Sequence, residues 1–182
     1  NLQRQIAHGE ADIGRPKVAS AADAIRALNP HTGINTINEK LQDLLLDDAV
    51  RAVDLVVDCS DNFRTRFALN AACWQNRKPL VSGAAIRSEG QLLVIDPRAE
   101  NSPCYRCLYD DALDDEQLSC AQNGVLAPIV GIIGTLQALE AIKLLAQYGE
   151  PAIGKLQVFD GKTLEWRSLK LKRSSDCPVC SM

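Results

Sequence analysis

The tightest constraint on this chain is a set of four cysteines that only the fold can bring together. Cys104 and Cys107 stand in "SPCYRCL", while Cys177 and Cys180 stand far downstream in "SSDCPVC". A two-residue spacer lets one turn of backbone offer two thiolates to a single ion, and a structural zinc takes four such ligands in a tetrahedron. If the pairs act together, the segment near residue 180 must return onto the segment near residue 105. The same spacing admits a redox pair or four ordinary thiols, but neither pair has the βαβ flank that a redox CxxC requires. A catalytic zinc fits less well, because four protein ligands leave no open position for water.

The surroundings suit one globular body. With 182 residues, 46% hydrophobic and 24% charged, the chain reads as a single α/β domain over residues 1–182. A formal charge of −3 with both signs interspersed leaves no basic face for nucleic acid. No charged-then-apolar leader opens the sequence. The longest apolar run, "GVLAPIVGIIGTLQAL", is broken by Pro128, Gly131 and Gly134 and runs into Glu140 and Lys143. No membrane span is expected, and the expected location is the cytoplasm, where thiols stay reduced.

Periodicity supplies the elements. "RPKVASAADAIRAL" reads as a helix with Pro16 at its first turn, stopping at Asn29-Pro30, and "GINTINEKL" alternates like a strand. A short helix is expected around Leu41–Val50. Val53–Val57 is a compact apolar run of the kind a parallel strand covered on both faces needs. A helix from Phe63 to Gln75 and a strand from Pro79 follow, which is the rhythm of a Rossmann-like parallel sheet wound by helices. "EGQLLVIDP" and "GKLQVFDGKTLEWRSLKLK" then predict antiparallel strands, with Asp160-Gly161 as a hairpin turn. Between them, Val125–Gln147 is the longest helix, with Leu136, Leu139, Ile142 and Leu145 expected in the core.

Several residues could carry chemistry. "VVDCSDNFRTR" places Asp58, Asp61 and Asn62 at the carboxyl end of the predicted parallel strand, with Arg64 and Arg66 entering the next helix. Ligands bind at that edge of open α/β sheets, and carboxylates there suit magnesium shared with phosphates. An aspartate that merely caps the helix explains the pattern equally well. Asn1, Arg4, Arg15 and Lys17 could meet a triphosphate, although solvated charge is the commoner role for any one of them. Cys120, in an acidic stretch before the long helix, is open to two readings, a nucleophile or an inert thiol. Cys59 and Cys73 read as core, and His8 and His31 have no assigned role.

Taken in order, "NLQRQ", "GRPK", "DCSDN…R", "PLVSGAAIRSEGQ", "CYRC", "GVLAPIVGIIGTLQALEAIK" and "CPVC" resemble the ThiF/MoeB/HesA family, bacterial relatives of ubiquitin-activating enzymes. The resemblance runs through essentially the whole chain. It implies ATP- and Mg2+-dependent adenylation of the C-terminal glycine of a ubiquitin-like sulfur carrier protein, in a homodimer, with sulfur then delivered by a sulfurtransferase. It implies that Asn1, Arg4 and Lys17 hold the phosphates and that Asp61, with Asn62 beside it, positions magnesium. It also implies that Cys104, Cys107, Cys177 and Cys180 bind Zn2+. Cys120 falls where ThiF-like members carry the cysteine that joins the carrier covalently, and the strand pair before "CPVC" leans towards ThiF and thiamine biosynthesis rather than MoeB and molybdopterin.

The family's nucleotide-binding strand and Gly-rich turn precede "NLQRQ", and neither is in these residues. Glycine-rich turns offer backbone N–H groups to phosphate, so this chain alone is expected to bind ATP poorly. A zinc-stapled module that binds the carrier without catalysis is the competing reading. A dehydrogenase fragment is the weakest, having no dinucleotide turn here.

Overall fold

A computed structural model describes residues 1–100, 102–109 and 124–181. The chain divides into two compact units, Asn1–Leu41 and Gln42–Met182.

In the first unit a short 3-10 turn at Glu10–Asp12 leads through Gly14, at φ +87°, into helix α1, Lys17–Leu28. The positive φ is cheap only for glycine. Arg15 donates to Asp12 and to Asp23, each at 2.6 Å, and so ties the turn to α1. The pair is exposed, which limits its worth. Residues 33–41, where the alternation predicts a strand, have no strand. A strand is held by its neighbour, and no strand lies in this unit to pair with them.

The second unit runs α2 (Asp43–Arg51), β1 (Val56–Asp58), α3 (Phe63–Gln75), β2 (Leu80–Ile86), β3 (Glu89–Ile95), α4 (Ala127–Ala146), β4 (Lys155–Asp160) and β5 (Glu165–Lys170). Among the described residues its five strands lie in the order β1-β2-β3-β4-β5. Only β1 and β2 are parallel, joined through α3, and the others are antiparallel, so the sheet is mixed as the sequence predicts. In β2, Leu80, Val81, Ser82 and Gly83 are all buried. Val81 packs with Leu92 and Val94 of β3, and a second cluster joins Ile129 and Ile133 of α4 to Phe159 of β4. Gly90 of β3 lets α4 approach, since a Cβ there would lie 2.5 Å from Ile133.

Three expectations change. Among the described residues β1 is an outer strand of only three residues, Val56–Asp58, which leaves Val53 outside it, and Val57 is 43% exposed. On α4 the buried residues are Ile129, Ile133, Gln137, Glu140 and Ala141, whereas Leu139, Ile142 and Leu145 are exposed. A run of i+3 steps drifts about 60° backwards at each step, because three residues turn a helix by about 300°. The leucine series therefore winds off the face that the 3.6-residue period buries. The Asp160-Gly161 dipeptide does begin a hairpin connection, but Asp160 pairs with Glu165 and four residues lie between them. Gly161 is needed for space, since a Cβ would meet Ile129 Cδ1 at 2.5 Å and the Ser88 carbonyl at 2.8 Å.

Helix α4 has 20 residues with a mean hydropathy of 1.7 over its most apolar stretch, enough in length and composition to cross a membrane. Its buried face instead packs on β2 and β3. Glu140, 5% exposed, accepts from Lys143 Nζ at 2.6 Å and from the Ala152 N–H at 2.8 Å, so a buried charge is paired and pins the chain leaving the helix.

Candidate functional site

The carboxyl end of β1 opens into a loop of residues 58–62 whose anchors can be followed atom by atom. Asp58 is 2% exposed. Its carboxylate accepts from Ser82 Oγ of β2 at 2.9 Å and from the Ser60 N–H at 2.9 Å, while its carbonyl accepts from Gln137 Nε2 of α4 at 2.7 Å. Gln137 Nε2 also donates to the Val81 carbonyl at 3.2 Å, joining the ends of the two parallel strands. Asp58 is thus a structural anchor. At the far end of the loop Asn62, and neither aspartate, caps α3: its side-chain oxygen accepts from the Thr65 N–H at 2.8 Å. Asp61, held between these anchors, is exposed and touched by Asn62 Nδ2 at 3.5 Å. An exposed carboxylate on a fixed loop beside a helix N-terminus is placed to share a cation with an external anion.

Cys59 is exposed, with its thiol 3.6 Å from Gln137 Oε1, which corrects the core reading; it follows the last residue of an outer strand. The thiol itself is partly buried against Gln137, which raises Cys59, as does the neighbouring Asp58 charge, so it is a poor nucleophile. Cys73 is buried as expected, and burial pushes its thiol up to about 12.

Arg66, on the first turns of α3, reaches back over the loop. Its Nη2 donates to the Ser60 carbonyl at 2.6 Å and its Nη1 to the Tyr105 hydroxyl at 3.3 Å. Tyr105 stands in the 3-10 turn Tyr105–Cys107, between two of the four predicted metal ligands. Its N–H donates to Asn70 Oδ1 of α3 at 2.8 Å, and its ring lies 5.7 Å from Phe67 and 4.8 Å from Tyr109. Tyr109 in turn donates to Gln91 Oε1 at 2.7 Å. The cysteine turn is therefore packed on α3 by aromatic contacts and on β3 by a hydrogen bond.

The sulfurs of Cys104, Cys107, Cys177 and Cys180 all lie within 4.8 Å of one another, and all four are free thiols. Cys104 and Cys177 are 3.5 Å apart, Cys107 and Cys180 3.3 Å, and Cys104 and Cys107 4.0 Å. Metal–sulfur bonds of about 2.3 Å make a tetrahedron with edges of about 3.8 Å. The four sulfurs fit such an ion. The Ser174 N–H points at Cys107 Sγ from 3.4 Å, the kind of outer contact that steadies a thiolate. Burial raises Cys104, to about 11, and Cys180 too. Burial also opposes ionisation of Cys177, but N–H groups of Cys180 and Val179 and the adjoining thiols bring it down to about 7.

In the first unit, Asn1 and Lys17 line one cavity of about 270 Å³ together with Leu2, His8, Arg15 and Ser20. Arg4 does not line it; its N–H donates to the Asn1 carbonyl at 3.1 Å. Arg15 is engaged by two aspartates. Cys120 lies outside the described residues. Sequence reasoning missed Gln137 and Tyr105; the signal for Gln137 was a polar side chain in register with Ile129 and Ile133 on one helix face.

Residues 1–179 match the ThiF family. The chain belongs to the ThiF family. It is 49% identical over 180 residues to the molybdopterin-synthase adenylyltransferase of Salmonella typhimurium, covering 99% of this chain and 72% of that protein. It is 47% identical over 180 residues to the sulfur carrier protein ThiS adenylyltransferase of Escherichia coli, covering 99% and 70%. Among solved structures, E. coli MccB with ATP superposes with a TM-score of 0.80 at 20% identity, over 100% of this chain and 56% of that chain. The last likeness speaks for the fold, and the chain spans little more than half of that structure. The family is one of adenylyltransferases, as both relatives are named.

Proposed function

We propose that the protein containing this chain adenylates the C-terminal glycine of a ubiquitin-like sulfur carrier, with ATP as donor and pyrophosphate as leaving group. The observation that carries this reading is Asp61, exposed on an anchored loop at the carboxyl end of parallel β1, in a ThiF-family chain. A carboxylate attacking an α-phosphate needs little covalent help; it needs positioned reactants and neutralised phosphate charge. Magnesium supplies that neutralisation when bound. Asp61 is the residue to hold it, with Asn62 orienting Asp61 from the helix cap. Asn1, Arg4 and Lys17 contribute donors and positive charge to the phosphates.

Zinc in the Cys104, Cys107, Cys177 and Cys180 cluster is structural, since four thiolates leave no open coordination position. The protein works as a cytoplasmic homodimer, and the thiocarboxylate chemistry that follows draws on a sulfurtransferase. Thiamine biosynthesis is the pathway favoured by the strand pair leading into "CPVC", with Cys120 as the residue that joins the carrier. Identities of 49% and 47% to the two kinds of relative keep the molybdopterin pathway beside it.

Carrier-dependent ATP–pyrophosphate exchange tests this on the full-length protein, with thiamine-type and molybdopterin-type carriers run separately. Exchange with one carrier, abolished by Asp61→Ala while carrier binding survives, is the expected result and names the pathway. Silence with both carriers refutes adenylation and favours a zinc-stapled carrier-binding module.

A further inference from the structure

The loop that bears Asp61 is gripped from two sides, at Asp58 by β2 and α4 and at Ser60 and Asn62 by α3, and the Ser60 N–H is tied to Asp58 within it. Asp58 is held by β2 and α4, through Ser82 and Gln137. Asn62 is held by the first turn of α3. Between them, Ser60 is gripped through its carbonyl, by Arg66 Nη2 at 2.6 Å. The Ser60 hydroxyl is buried and has no hydrogen-bond partner among the described residues, so it adds no further hold.

Arg66 is itself steadied from the cysteine cluster. A guanidinium is a rigid fork whose two terminal nitrogens point in fixed directions, so fixing one aims the other. Nη1 meets the hydroxyl of Tyr105, which is 4% exposed and stands between Cys104 and Cys107. Tyr105 has little freedom of its own, with its N–H on Asn70 and its ring against Phe67 and Tyr109. The path from cysteine cluster to loop is two hydrogen bonds long: Tyr105 Oη to Arg66, then Arg66 to the Ser60 carbonyl, one residue before Asp61.

We propose that Tyr105 is a positioning residue for the adenylation site, fixing the Asp61 loop from the cysteine cluster through Arg66. The inference rests on the reading of Asp61 as the cation-holding carboxylate. It gives the cysteine cluster a second effect beside fastening the chain near residue 180, because a shift of the 3-10 turn moves the fork that holds Ser60.

Tyr105→Phe deletes only the hydroxyl and keeps the ring packing. It is to be made in the full-length, zinc-loaded protein and compared with wild type in two ways. Without nucleotide, amide hydrogen exchange in peptides covering residues 58–62 should quicken by about fivefold, the effect of losing one modest hydrogen bond. Metal content and exchange in residues 102–109 should not change. In pyrophosphate exchange, the apparent KM for Mg2+ should rise by about the same factor, with the KM for carrier unchanged. Arg66→Lys changes no residue of the cysteine turn and should reproduce both effects, since an ammonium cannot fork to two acceptors in fixed directions.

Unchanged hydrogen exchange at 58–62 in both variants would overturn the strap itself. A loosened loop with an unchanged Mg2+ dependence would overturn its positioning role. If the wild-type protein shows no pyrophosphate exchange, the adenylation reading fails and this role for Tyr105 fails with it. The hydrogen-exchange arm would still show whether the strap exists.

Discussion

Gly83→Ala should be among the most damaging single-methyl additions available in this chain. Gly83 lies in β2 opposite Leu92, and a Cβ built on it falls 2.3 Å from Gln137 Oε1, 2.4 Å from Cδ and 2.8 Å from Nε2. An ordinary heavy-atom contact is about 3.5 Å, so the glutamine end must withdraw by about 1 Å. Gln137 is 3% exposed, and its Nε2 holds the Asp58 and Val81 carbonyls at 2.7 and 3.2 Å. Withdrawal breaks both bonds in a buried place, at about 1–3 kcal/mol for each polar group left unsatisfied. Against this stands a gain of about 0.4–1 kcal/mol from the stiffer unfolded chain. The net expectation is a loss of about 1–5 kcal/mol. Equilibrium urea unfolding of the zinc-loaded protein, followed by tryptophan fluorescence, measures it. In a Gln137→Ala background the clash disappears, so the same substitution should become nearly neutral, with a coupling of about 2 kcal/mol. A cost below about 0.5 kcal/mol in the wild-type background, or an equal cost in both backgrounds, would refute the reasoning.

Metal analysis of the folded, reduced protein should find one zinc per chain, and Cys180→Ala should lose it and lower Tm by ~5 °C or more; a folded wild-type sample without metal refutes the site. Asp96 is buried, which would raise its carboxyl, but hydrogen bonds from Arg98 Nε and Nη2, each 2.8 Å, and from the Arg98 N–H hold it below the ordinary value. A lowered carboxylate stabilises the fold above the unfolded-state value of about 3.9 and loses that contribution as pH falls through the lower folded value. Asp96→Asn should therefore cost about 1 kcal/mol at pH 7, discounted because Arg98 is half exposed, and the gap to wild type should narrow in urea titrations below about pH 4. A gap independent of pH would show that the charge contributes nothing.

Much of this was legible in the sequence, and the misses share a cause. α3 was readable to its bounds, Phe63–Gln75, although its cap is Asn62 and not the aspartate that the pattern offered. The cysteine spacing foretold a cluster across the whole second unit, since ligand chemistry depends on residue type and not on neighbours. "GINTINEKL" failed as a strand because alternation states only a preference, which a partner must realise. The α4 series failed because a spacing of three drifts off the 3.6-residue period: Gln137 and Glu140 occupy buried positions, each with a specific hydrogen-bonding task, while Ile142 and Leu145 stay outside. The strap through Arg66 and Tyr105 joins residues 39 positions apart, and no local pattern announces such a pair.

Cys104 and Cys177 are separated by 73 positions, and α4, β4 and β5 all lie between them. During synthesis the chain emerges from its N-terminal side at about 5–20 residues per second, so the first two thiols wait several seconds for the second two. No four-thiol site exists in that interval. An ion held by all four sulfurs would be captured only after β4 and β5 have been made, and would certify that the growing polypeptide has been read through to its last ligand. Any premature stop before Cys177 leaves the nascent product with half a binding site, Cys104 and Cys107 without their two partners.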